Sequence, residues 1–199
     1  IDDFMLGLIT ARSRSGELGQ RGDLLDLLLQ ATDPESGRGM SHQQVRDEVV
    51  TVFLAGHETT AVALSWCWIL LAQHRFASDE LHAELARVLA GRDAAVSDLP
   101  ALAYTRRVLD ETLRLYPPVW VNPRTAIAAD EIDGIAVAPG SAILPMIYAV
   151  HRHPDFWPDP ERFDPERFTP AAAHDRHLCA YLPFGAGSRV CLGMNFALQ

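Results

Sequence analysis

The sequence has little with which to cross-link itself. Three cysteines, Cys67, Cys179 and Cys191, stand among 199 residues, too few and too scattered for a disulfide framework. Positive charge is also in deficit: 17 Lys and Arg face 26 Asp and Glu, a net charge of −9. That balance argues against a nucleic-acid partner, which is held by a basic surface. A long hydrophobic run is missing too. The longest, Ala61 to Ala72, is interrupted by Ser65 and falls short of the roughly 20 apolar residues a membrane span takes. A buried helix is expected there, and no membrane contact is indicated. There is no internal repeat and no low-complexity segment. A composition of 48% hydrophobic and 22% charged residues therefore leaves an ordinary globular chain, long enough to bury a core.

Two further absences concern the ends. The first residue is Ile1 rather than Met, and Met194 to Gln199 reads as a helix beginning, with no Gly, Asn or Pro to close it. The expectation is a partial domain over residues 1–199, cut at both ends. No signal peptide is visible, and the expected location is the cytoplasm.

Residues 1–30 read as helix, with Leu24, Leu25, Leu27, Leu28 and Leu29 forming a broad apolar face. A loop rich in Asp-Pro and Ser-Gly follows. Ser41-His42-Gln43-Gln44 has the form of a capping box. No proline then occurs before Pro100, so residues 41–74 are expected as one helix, about 50 Å long. Its second half is apolar almost all round, as in a helix buried in a core. Helices are also expected over 78–90, stopped by Gly91, and over 103–116, stopped by Pro117-Pro118. Residues 124–145 alternate apolar runs with turns at Asp133-Gly134 and Pro139-Gly140 and read as a small β-sheet. Residues 146–151 read as one or two helical turns. Five prolines between Pro154 and Pro170 make that stretch an irregular meander. The fold class is mainly α, an α-rich α+β arrangement.

Three local sequences carry chemistry. In Phe184-Gly185-Ala186-Gly187-Ser188-Arg189-Val190-Cys191-Leu192-Gly193, a cysteine sits where a glycine loop meets a helix start. Helix N–H groups and the cationic Arg189 there favour thiolate over thiol. Alone, Cys191 also reads as a structural cysteine beside a tight turn. In Glu111-Thr112-Leu113-Arg114, opposite charges at i and i+3 share a helix face, which equally describes a surface ion pair of small value. Ala55-Gly56-His57-Glu58-Thr59-Thr60 is a poor helix sequence inside a long helix: Gly costs about 1 kcal/mol against Ala, and paired Thr residues are β-branched. A broken local rule suggests a site; the alternative is a Thr59 hydroxyl bonded back to the Ala55 carbonyl with Glu58 solvated. His151-Arg152-His153 lacks a third ligand at metal spacing, so zinc is not expected.

These sequences together resemble the cytochrome P-450 (heme-thiolate monooxygenase) family. The pattern F-x-x-G-x-R-x-C-x-G is its heme-binding loop, and five fixed positions coincide by chance on the order of once per million windows. A-G-x-[DE]-T-[TS], E-x-x-R, P-E-R-F and the loop occur here in the family's order over residues 41–199. The resemblance implies the C-terminal half of the P-450 fold, with a long central helix, small β-sheet, meander and heme-binding loop. It implies heme b (iron protoporphyrin IX) with Cys191 as the axial iron ligand, in a loop that includes Phe184. Gly187 and Gly193 would let backbone approach the porphyrin, and Arg189 would pair with a propionate. Arg124 matches a propionate-contacting position, or is a plain surface arginine. Gly56 would leave room for dioxygen, with a local bulge opening the helix; Thr59 would bond the distal oxygen and Glu58 would relay protons. Glu111, Arg114 and Arg167 would form a structural triad. His57 is not expected to bind iron.

The implied reaction inserts one atom of dioxygen into a hydrophobic organic substrate. Electrons would come from NAD(P)H through a redox partner, a ferredoxin or flavin reductase. Val119 to Asn122, with Phe53 and Ala55, are expected to line the substrate pocket. Arg106 and Arg107 would meet the acidic partner, or form a solvated helix face. A heme-thiolate peroxygenase, a non-catalytic heme-binding protein and an inactive fragment remain as alternatives. The isolated 199 residues are expected to hold heme poorly and to be inactive.

Overall fold

The structure is a computed structural model that describes residues 2–199. The chain divides into two compact units, Ile1–Glu58 and Thr59–Gln199.

In the first unit, α1 (Asp2–Arg14) buries Met5 and Ile9, and α2 covers Leu24–Gln30. The single helix expected through residue 30 is broken in two, because Gly16, Gly19 and Gly22 between them all take left-handed φ, which ends a right-handed helix. The leucine face of α2 is only partly covered, with Leu25, Leu28 and Leu29 half-buried. Leu24 and Leu27 are exposed, whereas Asp26 is fully buried. Its carboxylate accepts from Arg12 at 2.5 Å and from the backbone N–H groups of Arg21 and Gly22 at 3.0 and 3.2 Å. Those bonds tie the loop between the helices to a buried carboxylate.

The long helix α3 (His42–Gln73) belongs to both units. Its start is the expected capping box: the Gln44 side chain accepts from the Ser41 N–H at 2.9 Å, and the Ser41 hydroxyl from the Gln44 N–H at 3.2 Å. The helix runs as α through Gly56 and Thr59-Thr60. The expected bulge is therefore not formed; in a helix of 32 residues propagation on both sides carries one poor former. The expected burial fails as well. Only Cys67, Leu70 and Leu71 of the apolar half enter the core, while Val62, Leu64, Trp68 and Ile69 are exposed, because α4 and α5 cover a single face. By length and composition α3 would also suit a membrane span, but His57 and Glu58 fall within it, and ionisable groups are costly in hydrocarbon.

The second unit builds its core from that end of α3, α4 (Arg75–Leu89) and α5 (Ala103–Leu115). Cys67, Leu71, Leu81, Val108, Leu115 and Phe163 meet there. Burial of Cys67 pushes its thiol pKa up. Helix α4 starts three residues earlier than expected and ends at Ala90 and Gly91, both left-handed. Its buried Glu84 caps α5 from outside, accepting from the N–H groups of Tyr104 and Thr105 at 2.7 and 2.8 Å, two of the donors a helix start leaves unpaired.

The expected sheet is present as two separate ladders. β1 (Arg124–Thr125) pairs antiparallel with β4 (Ala142–Ile143), and β2 (Asp130–Ile132) with β3 (Ile135–Val137) across the Asp133-Gly134 turn. Strands of two or three residues are too short to twist into one sheet. Then come α6 (Ile147–Val150), the proline meander, α7 (Pro170–Ala173) and, after the glycine loop, α8 (Met194–Ala197).

Candidate functional site

Helix α5 places Glu111 and Arg114 on its buried face, both fully inaccessible. They form a bidentate pair, Arg114 Nε to Glu111 Oε2 at 2.6 Å and Nη2 to Oε1 at 2.8 Å. Arg114 also donates to the carbonyls of His151 (2.9 Å), Pro160 (2.8 Å) and Arg162 (3.2 Å). All five of its N–H groups are thereby used. Glu111 further accepts from the Asp164 N–H at 2.9 Å, and Arg167 Nε stands 3.5 Å from Oε1. Burial pushes the Glu111 carboxyl up, against the pull of Arg114, the Asp164 amide and Arg167. The sequence-derived trio thus meets, and its Arg114 and Glu111 hold the meander at Pro160, Arg162 and Asp164 and the end of the preceding helical turn at His151.

Beyond the meander, three consecutive residues are tied to residues from earlier in the chain. Trp157, 1% exposed, donates from Nε1 to the Ala180 carbonyl at 3.2 Å. The Tyr181 hydroxyl bonds the backbone and side chain of Asp110 at 2.9 and 3.0 Å; burial and Asp110 drive its pKa upward. The Leu182 N–H donates to His151 Nε2 at 2.8 Å. In the sequence, His151 and Trp157 read as part of the fold rather than of the chemistry, and Tyr181 only as the start of a glycine loop. A histidine next to the apolar run Ile147 to Val150 is the one signal that could have pointed to burial.

From there the chain enters the cysteine loop. Gly185 bonds back to the Leu182 carbonyl at 3.1 Å, and Cys191 N–H to the Phe184 carbonyl at 2.9 Å. Phe184 is half-buried while Cys191 is exposed with a free thiol. Gly187 takes φ +70, and nothing lies within 4 Å of where its Cβ would be. Gly193 has ordinary backbone geometry, φ −83, and a Cβ there would meet Cys191 Sγ at 3.8 Å. Arg189 is exposed two residues before the thiol. Arg124 reaches the Asn122 Oδ1 at 2.5 Å, and Asn122 Nδ2 in turn lies 3.6 Å from the Cβ position of Gly185. That brings Arg124 to the edge of the loop. Arg106 and Arg107 are held in surface pairs, with Asp110 at 2.9 Å and Glu166 at 2.8 Å.

Glu58 ends the first unit and is exposed; Thr59 opens the second and is half-buried. Gly56 leaves open space where a side chain would stand. The expected pocket residues fall in different units. Within the second, Trp120 joins Val62, Trp66, Tyr116, Met146 and Tyr148 around an apolar cavity of about 490 Å³. Trp66 and Tyr116 stack there at 3.8 Å.

A buried ion pair that fastens a meander is thus followed by an anchored loop presenting one exposed cysteine. Comparison with known proteins gives the family. Residues 1–199 match the family described as Cytochrome P450. The chain is 45% identical over 185 residues to "Cyclooctatin synthase" of Streptomyces melanosporofaciens, covering 93% of this chain and 40% of that one. It is 46% identical over 191 residues to "Cyclooctat-9-en-7-ol 5-monooxygenase" of the same organism, covering 96% and 41%. Among solved structures it resembles the "cytochrome P450DA heme domain" at TM-score 0.91 and 37% identity, over 99% of this chain and 44% of that one. The retinoic-acid-bound cyanobacterial CYP120A1 gives TM-score 0.89 and 34% identity, over 98% and 45%. The chain belongs to the cytochrome P-450 family and has its fold. It spans about two fifths of the length of these relatives.

The residues fit a heme. Cys191 offers a free, exposed thiol, the donor type that heme-thiolate iron takes. Exposed Val190, Leu192 and Phe196 supply apolar surface beside it. Arg189 and Arg124 supply cations suited to carboxylates.

Proposed function

We propose that the protein of which this chain forms part is a heme b monooxygenase acting on a hydrophobic compound, with electrons from NAD(P)H delivered by a ferredoxin or flavin reductase. The observation that carries this is the exposed Cys191 thiol on a loop whose approach is fastened at Ala180, Tyr181 and Leu182 to Trp157, Asp110 and His151. Heme, when bound, supplies the oxidising chemistry of its iron, and its thiolate ligand favours O–O cleavage. Cys191 is the ligand, and Phe184, Gly187 and Gly193 shape the loop that presents it. Arg189 and Arg124 hold propionates. Glu111, Arg114 and Arg167 are positioning residues that fix the meander. Gly56 keeps a space clear on α3, Thr59 Oγ1 holds a hydrogen bond to the oxygen substrate, and the Glu58 carboxyl passes protons from solvent. The name of the Streptomyces relative, a 5-monooxygenase of an unsaturated alcohol, supports the reaction class and a hydrocarbon-rich substrate.

The test is oxygen and cofactor accounting on the intact protein. Substrate-dependent NAD(P)H consumption with a reductase, matched by one product oxygen from dioxygen, is expected. Turnover with hydrogen peroxide and none with a reductase would reverse the reading to a peroxygenase. Heme and CO binding with no substrate-dependent consumption would leave a non-catalytic heme protein.

A further inference from the structure

His151 is fully buried and sits between the ion-pair network and the cysteine loop. Two exchanges tie it to Arg114: the Arg114 guanidinium donates to the His151 carbonyl at 2.9 Å, and His151 Nδ1 lies 3.2 Å from the Arg114 carbonyl. On its other side Nε2 lies 2.8 Å from the Leu182 amide nitrogen. A carbonyl only accepts and an amide N–H only donates, so Nδ1 must carry the proton and Nε2 must be bare. One neutral tautomer satisfies both neighbours. The Leu182 carbonyl then receives Gly185 N–H, and Phe184 receives Cys191 N–H. The path from Arg114 to the Cys191 backbone is therefore a continuous series of bonds, in which the His151 ring joins the Arg114 carbonyl to the Leu182 amide.

We infer that His151 is a positioning residue that sets the height of the Cys191 loop through its Nε2 acceptor on the Leu182 amide. This rests on the reading of Cys191 as the heme ligand. Trp157 and Tyr181 anchor the two preceding residues, but each grips them at a carbonyl or a side chain. Of these three side chains, His151 alone grips a backbone donor. Its bulk and its hydrogen bonds are separable by substitution. Gln places Oε1 where Nε2 stands and can accept from Leu182; Asn reaches only as far as Nδ1 and keeps a donor toward Arg114.

The experiment compares wild type, His151→Gln and His151→Asn in the intact protein. It reads amide hydrogen exchange at Leu182 without heme and the reduced-CO band with heme. The expected result is protection of Leu182 and a thiolate-type band in wild type and Gln. In Asn, exchange should be at least tenfold faster, and a large share of the band should move to the form lacking thiolate ligation. Equal behaviour of Gln and Asn overturns the proposal, because it makes His151 a packing residue. If Asn loses its far-UV helicity, Gln alone decides: retained Leu182 protection supports the proposal and lost protection overturns it. A wild type without a thiolate-type band refutes the heme-ligand reading instead, and the Leu182 exchange still judges the link.

Discussion

At the scale of single residues, Arg114 and His151 are the groups whose contacts are complete. Arg114 spends all five donors on one carboxylate and three backbone carbonyls, those of His151, Pro160 and Arg162. Lysine has three donors, so Arg114→Lys leaves at least two buried bonds unmade, at about 1–3 kcal/mol each. The intact protein should lose about 3 kcal/mol or more in urea unfolding. Arg106→Lys, at the surface pair with Asp110, should cost under about 1 kcal/mol; equal losses would contradict the network. Burial holds the His151 pKa down to about 4, against an ordinary 6.5. Between those values the unfolded chain binds a proton that the folded one refuses, so stability rises with pH across that window and levels off above it. The span is about 3 kcal/mol at about 1.4 kcal/mol per pH unit. Urea titrations from pH 4 to 7 should show this slope, and His151→Gln should flatten it by the same amount. Sequence spacing exposed the Glu111–Arg114 pair, since i and i+3 share a face. It could not show that the pair is buried, nor that His151 completes it from 37 residues away.

At the scale of elements, boundaries followed local chemistry closely. The capping box at Ser41 and the Pro117-Pro118 stop after α5 were legible because each acts within four residues. The break between α1 and α2 was not, because leucine periodicity continued on both sides while the glycines between took left-handed φ. Burial was the weakest reading. A helix apolar all round is buried only where partners exist, and in α3 they cover one face near Cys67. The end of α4 stores strain that can be released. Ala90 takes φ 50 ahead of Gly91, and a left-handed non-glycine residue costs roughly 1–2 kcal/mol. Ala90→Gly should therefore raise stability by about 1 kcal/mol, visible as a higher urea midpoint at unchanged slope. A lower midpoint would mean that the extra freedom of glycine in the unfolded chain outweighs the strain.

At the scale of the whole molecule, each contact converges on one output, the placement of Cys191. Of three cysteines, Cys67 lies in the core, Cys179 is exposed, and only Cys191 stands on an anchored glycine loop. The motifs made that cysteine legible in the sequence. The anchoring was not, because Ala180, Tyr181 and Leu182 are gripped by side chains 23 to 71 residues away. Family, fold and motif order agree on heme, and the Cys191 ligand is the claim on which the rest depends. The most direct measurement is the reduced-CO spectrum of the intact protein beside its Cys191→Ala variant. A thiolate-type band is expected in the first and its complete loss in the second, with Cys179→Ala unchanged. A thiolate-type band that survives in Cys191→Ala would contradict the ligand assignment.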